Sequence, residues 1–193
     1  MKISFSTKGW HGYLWEDFTR IATEQGFNGI ELHNVNNPSF TEKNGAFYMS
    51  SAQATVRELY EKNLRIPCID TLKNPAAKEE REAFLEELSK CLQIASTLHI
   101  PFVRIKATDT GADFEEQKQE VISVLSDIIP EAEKNNVTIL LLKHQDFSQI
   151  QQNYLKYSTH SLVILLQHSG IFIHHILLQV KSLKQQLKIL VLM

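Results

Sequence analysis

The chain has 193 residues, 43% of them hydrophobic, and a formal net charge of −2. That length supports one domain with a sizeable core, but it falls short of the roughly 250 residues of a complete (β/α)8 barrel. The near-neutral balance leaves no basic stripe for nucleic acid. Two cysteines, Cys68 and Cys91, make no metal or disulfide framework, and the opening MKISFSTKGWHG lacks the apolar stretch of a secretory signal. These features predict a cytoplasmic protein without a membrane segment.

Short apolar runs alternate with longer helical patterns. Ile3 to Ser6 reads as a strand, followed by a helix over Glu16 to Gln25 that carries Phe18, Ile21 and Ala22 on one face and stops at Gly26. Gly29 to His33 (GIELH) is the second strand. The polar stretch after it, Asn34 to Gly45, exceeds an ordinary connection and reads as a functional loop. Ser51 to Lys62 is the second helix, and Ile66 to Asp70 the third strand. Lys78 to Leu98 is a long helix with Phe84, Leu88, Leu92 and Ala95 at helical spacing. Phe102 to Ala107 is the fourth strand, Glu116 to Lys134 the fourth helix with Pro130 as a kink point, and Val137 to Leu142 the fifth strand. Strict alternation predicts an α/β fold of parallel strands joined by right-handed crossovers, with helices outside.

Side chains alternate along each strand. Ile30, Leu32, Val103 and Ile105 then face the helices. Glu31, His33, Arg104 and Lys106 face the interior, where Asp70 shares a strand face with Cys68, and Ser4 pairs in direction with Ser6. Polar residues near the C-terminal ends of barrel strands are where such folds keep their chemistry.

The succession GFNGIELH, a third strand ending in Asp70, then VRIKA, then NNVTILLL resembles the xylose-isomerase-like TIM barrels of the sugar phosphate isomerase/epimerase family. That superfamily also includes apurinic endonuclease-type enzymes. The likeness covers about residues 1–142 and implies a partial (β/α)8 barrel of about five strands. Relatives bind a divalent metal such as manganese, magnesium or zinc through a Glu ending the fifth strand, an Asp at the sixth, and ligands beyond. They isomerise or epimerise sugars or sugar phosphates. Here the fifth strand runs into Leu142-Lys143-His144 where the resemblance implies Glu-Thr, so the chain as written is expected to hold no metal cofactor.

Composition shifts at the same place. Of the 22 acidic residues only Asp146 lies after Lys143, and the segment 143–193 is rich in Leu, Ile, Gln and His without any Arg. A Gln-rich helical cap and divergence under relaxed selection are two readings. A shifted reading frame is the sharper one. Codons built from the third base of one residue and the first two of the next permit Glu-Thr-Ser-Gly-Phe across Leu142 to Phe147. They permit Ala-Lys-Leu-Leu-Glu-Val across Gln151 to Tyr157, and Trp-Asp-Ile-His-Pro-Pro-Tyr across Ser169 to Ile176. Both missing metal ligands return in order with a helix between them. His174 and His175 are sequence neighbours and do not share a strand or helix face, so they are not a ligand pair.

Within the resemblance, Glu31, His33 and Lys106 are the candidate catalytic groups, and Trp10, His11, Asp70 and Arg104 the candidate substrate contacts. For Arg104 and Lys106 the competing reading is an ion pair with Glu31 or Asp70, because buried charge needs a partner; for Trp10 and His11 it is loop packing. The expected function is that of an inactive, truncated sugar isomerase/epimerase copy. The alternatives are an apurinic endonuclease-type nuclease, which lacks its basic surface here, and a non-enzymatic half-barrel that self-associates through exposed edges.

Overall fold

The computed structural model describes residues 2–43, 45–143, 163–167 and 191–192. Strand β1 (Ser4–Ser6) leads into helix α1 (Trp15–Glu24), and β2 (Gly29–His33) into a short turn of helix, α2 (Pro38–Thr41), and then α3 (Ala52–Glu61). Strand β3 (Cys68–Asp70) precedes a 3₁₀ turn at Lys78–Glu80 and α4 (Arg81–Thr97). Strand β4 (Phe102–Lys106), α5 (Phe114–Lys134) and β5 (Thr138–Lys143) follow. The expected five strands are present and parallel, in the order of the chain.

Two further strands lie where the sequence reading stopped: β6 (Val163–Gln167) pairs parallel to β5, and β7 (Val191–Leu192) to β6. The run VILLQ is continuously apolar for four residues, which suits a strand covered on both faces. His174, His175 and the shifted-frame motifs around them lie outside the described residues.

The outward-pointing strand residues Ile30, Leu32, Ile69, Val103, Ile105, Ile139 and Leu141 are all at most 4% exposed. They pack against Phe18 and Ala22 of α1, Phe84, Leu88, Leu92 and Ala95 of α4, and Val121, Leu125 and Ile128 of α5, in one continuous cluster. The alternation inferred from the sequence is therefore the one the fold uses. Pro130 sits inside α5, which runs four residues past it. Asp113 caps that helix by accepting from the Glu115 and Glu116 amides at 3.0 and 3.4 Å, which relieves two of the unpaired donors at a helix start. Gly29 is required where β2 begins: a Cβ there would stand 2.6 Å from both the Arg65 carbonyl oxygen and Ser4 Oγ.

The long stretch after β2 has a packing role. Within it Asn37 Oδ1 caps α2 by accepting from Ser39 N at 3.1 Å. Phe40 is buried against Trp15 and Phe47, with centroids 6.4 and 5.3 Å away. Its remaining outer edge is tied to α4 by Lys90 Nζ donating to Asn36 Oδ1 at 2.9 Å. Among the described residues no helix is long and apolar enough to cross a membrane.

Candidate functional site

The strand registers align the polar residues of the inner face. His33 of β2 lies opposite Asp70 of β3, Asp70 opposite Arg104 of β4, and Arg104 opposite Leu140 of β5. Glu31, two residues before His33, falls on the diagonal from Arg104. The side chains follow that geometry. Arg104 Nε donates to Asp70 Oδ1 at 2.9 Å, and its Nη1 and Nη2 donate to the two oxygens of Glu31 at 3.1 and 2.9 Å. The second oxygen of Asp70 lies 3.0 Å from His33 Nδ1. A guanidinium fork matched to a carboxylate on two bonds is the strong, directional form of this contact. Side-chain exposures of 13% to 23% place all four groups in a mostly desolvated layer.

Electrostatics of the layer follow from this pairing. Burial would lower the Arg104 pKa. The hydrogen bond that Arg104 donates to Asp70 and the charges of Asp70 and Glu31 outweigh it and push the pKa above its ordinary value. Cys68, beneath Asp70 on the same strand face, has its thiol pushed up to about 12, chiefly by burial, with Arg104 opposing and Glu31 and Asp70 adding to the rise.

Four of the residues singled out from the sequence are thus brought together: Glu31, His33, Asp70 and Arg104. Arg104 spends its fork on two carboxylates, as in the ion-pair reading. Lys106 shares the inner face of β4 but stands exposed at its last position, and its side chain makes no hydrogen bond or ion pair to a described residue. Trp10 and His11 do not join the cluster. The Trp10 ring packs edge-on to Phe5 and Tyr13, with centroids 5.9 and 5.2 Å away, and 6.5 Å from Phe18 of α1. Phe5 is paired in register with the outward-facing Ile30, so Trp10 belongs to the helix side of the sheet. His11 is exposed.

Sequence reasoning passed over two threonines. Thr7, just past β1, is 6% exposed. Its hydroxyl accepts from the His33 amide at 2.9 Å and lies 3.4 Å from the His33 carbonyl oxygen. Thr71, just past β3, repeats the arrangement one strand pair along: its amide and hydroxyl both donate to the Arg104 carbonyl, at 3.0 and 3.3 Å. Each threonine prolongs a parallel ladder beyond its strand and pins the backbone of a cluster residue. The loops above are tied as well. Glu87 of α4, 5% exposed, accepts from the Leu72 and Lys73 amides at 3.0 Å each. Asn74 donates to the Thr108 carbonyl at 2.8 Å and accepts from its amide at 3.1 Å. Gln117 accepts from the Thr110 amide and donates to Asp109 and Ala112.

These groups do not fit a divalent cation. Both inner-face carboxylates are committed to Arg104, and the inner position near the end of β5, opposite Lys106, is Leu142. Hard cations need several oxygen donors. Among the described residues no three His, Cys, Asp or Glu are grouped to hold a metal.

No curated protein matches the sequence. Solved structures match its fold. A probable 3-DHS dehydratase, AsbF, from Bacillus anthracis is 18% identical over 86% of this chain and 62% of its own, with a TM-score of 0.66. A 3-keto-D-glucoside 4-epimerase, YcjR, from E. coli is 15% identical over 86% of this chain and 68% of its own, at 0.64. A xylose isomerase-like TIM barrel protein from Mycobacterium smegmatis, solved in complex with magnesium, is 15% identical over 86% and 63%, at 0.65. The chain thus spans about two thirds or less of several of these proteins. Residues 19–153 match the family described as xylose isomerase-like TIM barrel, and the chain belongs to that family.

Proposed function

We propose that this chain derives from a metal-dependent sugar or sugar phosphate isomerase/epimerase and, as written, is an inactive copy whose reading frame changes at about residue 142. The observation that carries the reading is where β5 ends. The strand runs Thr138–Lys143 and closes on Leu142-Lys143, where the resemblance implies Glu-Thr. With one nucleotide restored, the codon made from the third base of Leu142 and the first two of Lys143 can read Glu and falls at position 143. An intact relative would there offer a carboxylate free of Arg104, able to hold a cation that stabilises an enediolate or alkoxide. The present chain offers Lys143 instead, an ammonium that would repel a cation rather than coordinate it, and the segment 143–193 is its out-of-frame remainder.

What this chain retains is the substrate-facing layer on β2 to β4. In this reading Glu31, His33 and Lys106 would face the reacting carbons, and Arg104 with Asp70 would hold the neighbouring side chains in place. The structural kinship with an epimerase supports a polyhydroxy substrate in the intact enzyme.

The test has two arms. Manganese titration by calorimetry at neutral pH should show no micromolar site in this chain. A single-nucleotide correction near codon 142 should yield a soluble barrel of roughly 250 residues or more that binds manganese and turns over a sugar. A stop within a few corrected codons, or a corrected protein without metal affinity, overturns the reading, as does micromolar manganese binding by the chain as written. A second reading, self-association, has one observation in its favour. Among the described residues β1 pairs only with β2, and Ile3, the residue before it, is about half exposed. Light scattering on the purified chain separates a monomer from a dimer joined at that edge.

A further inference from the structure

We propose that Asn28 is a deamidation site guarded by the pairing of β1 on β2: it stays an amide while that pairing holds and converts to aspartate and isoaspartate when β1 lifts.

The chemistry lies in the dipeptide Asn28-Gly29. A backbone nitrogen that follows asparagine can attack the side-chain Cγ, and glycine, without a Cβ, hinders it least. The bond from Gly29 N to Asn28 Cγ forms and the Cγ–Nδ2 bond breaks. The proton of the attacking nitrogen passes through solvent to the departing ammonia. Water then opens the resulting succinimide at either carbonyl. One opening leaves aspartate; the other leaves isoaspartate, with the main chain routed through the side-chain carbons. No oxidant, metal or enzyme is needed.

The fold withholds each movement that ring closure needs. Asn28 Oδ1 accepts from the Ile3 amide at 3.0 Å, which keeps the side chain turned to β1. The Asn28 amide donates to the Ile3 carbonyl at 2.7 Å, and the Asn28 carbonyl accepts from the Arg65 amide at 3.1 Å. Gly29 is paired with Ser4 on one side and Arg65 on the other. Even a Cβ on Gly29 would meet both neighbours at 2.6 Å, so the Asn28–Gly29 peptide has no room to rotate and present its nitrogen.

The guard itself is light. β1 has three residues, pairs only with β2 among the described residues, and follows an Ile3 that is 47% exposed. Such an edge opens at a lower free energy than the whole domain. Asn28 is exposed, so water reaches the succinimide once it forms. Isoaspartate then holds the strand open. Its added main-chain carbon separates the amide that bonds Ile3 from the carbonyl that bonds Arg65, and the two pairings no longer fit one register. Aspartate keeps an oxygen for the Ile3 amide and lets β1 return.

The test incubates the full chain at mildly alkaline pH, folded and in urea, and follows tryptic peptides by mass spectrometry. Cleavage after Arg20, Lys43 and Arg57 separates Asn28 from the other Asn-Gly pair, Asn44-Gly45, and fragmentation distinguishes Asn28 from Asn34, Asn36 and Asn37. Asn28 should convert at least about tenfold more slowly in the folded chain than in urea, the ratio set by the opening of β1. Ile3→Pro deletes the N–H that holds Oδ1, at a sheet edge where proline is tolerated. It should speed conversion in the folded chain by about threefold or more, the worth of one hydrogen bond. Equal rates in the folded chain and in urea overturn the proposal, as does the absence of conversion at Asn28 in urea. A folded Ile3→Pro that converts at the parent's rate overturns it too. If that variant loses its fold by circular dichroism, the comparison with urea decides alone. In chains shown by isoaspartate-specific methylation to carry the modification, hydrogen exchange at the Arg65 amide should be faster than in the parent; unchanged exchange overturns the one-way opening.

Discussion

Replacing Arg104 by Met tests whether the inner cluster holds the sheet together. The substitution keeps most of the side-chain volume but strands two carboxylates, Glu31 at 21% and Asp70 at 13% side-chain exposure, without their shared cation. Removing one partner of a fully buried pair costs about 3–5 kcal/mol. These groups retain some solvent, so the expected loss is about 2–4 kcal/mol. With a urea dependence of about 2 kcal/mol per molar, the midpoint should fall by about 1–2 M. Fluorescence of Trp15, buried at 3% exposure, follows the transition. The control is the triple variant Glu31→Gln/Asp70→Asn/Arg104→Met, which removes every charge together and should lose less than the single change. An Arg104→Met midpoint within about 0.25 M of the parent would refute the reasoning, because the two carboxylates would then be satisfied without the guanidinium.

Glu58 makes a pH prediction on the helix side. Burial would raise its pKa, but hydrogen bonds from Lys62, Thr19 and Trp15 prevail and hold it below the usual carboxylate value. A carboxyl depressed in the folded state contributes stability above its unfolded pKa and loses it as pH falls through the folded one. The parent should therefore exceed Glu58→Gln by about 1 kcal/mol at neutral pH, with the gap closing below about pH 4; thermal melts across pH 3–7 check it, and a pH-independent gap contradicts it. Glu87→Ala should cost about 2–3 kcal/mol, because the Leu72 and Lys73 amides lose their acceptor in a buried place. Hydrogen exchange at those two amides should speed up while β5 stays protected.

The strands were legible because burial on one face and chemistry on the other impose a two-residue period. GIELH shows it in five letters, and its boundaries coincide with β2. The same period placed Glu31, His33, Asp70 and Arg104 on one face before any distance was known. Trp10 carried no period of its own, and its direction depended on Phe5, whose outward orientation comes from pairing with Ile30. Thr7, Thr71 and Glu87 left no sequence signal because each acts on backbone groups far away in the chain. A threonine after a strand looks like any loop residue until the neighbouring strand arrives. The stretch after β2 was too long for a connection, and its excess length buries Phe40 and Phe47, a packing role that its polar composition concealed.

The two cysteines can serve as clocks. Cys68 lies on the inner face of β3 and Cys91 within α4, at 7% and 0% exposure. Burial pushes both thiols up, Cys68 to about 12, so neither supplies the thiolate that alkylating reagents need while the structure stays closed. Each labelling rate then counts openings of its own element, one reporting separation of the strand layer and the other lifting of a helix. A chain without an added dye could thus reveal whether its sheet or its helical coat yields first.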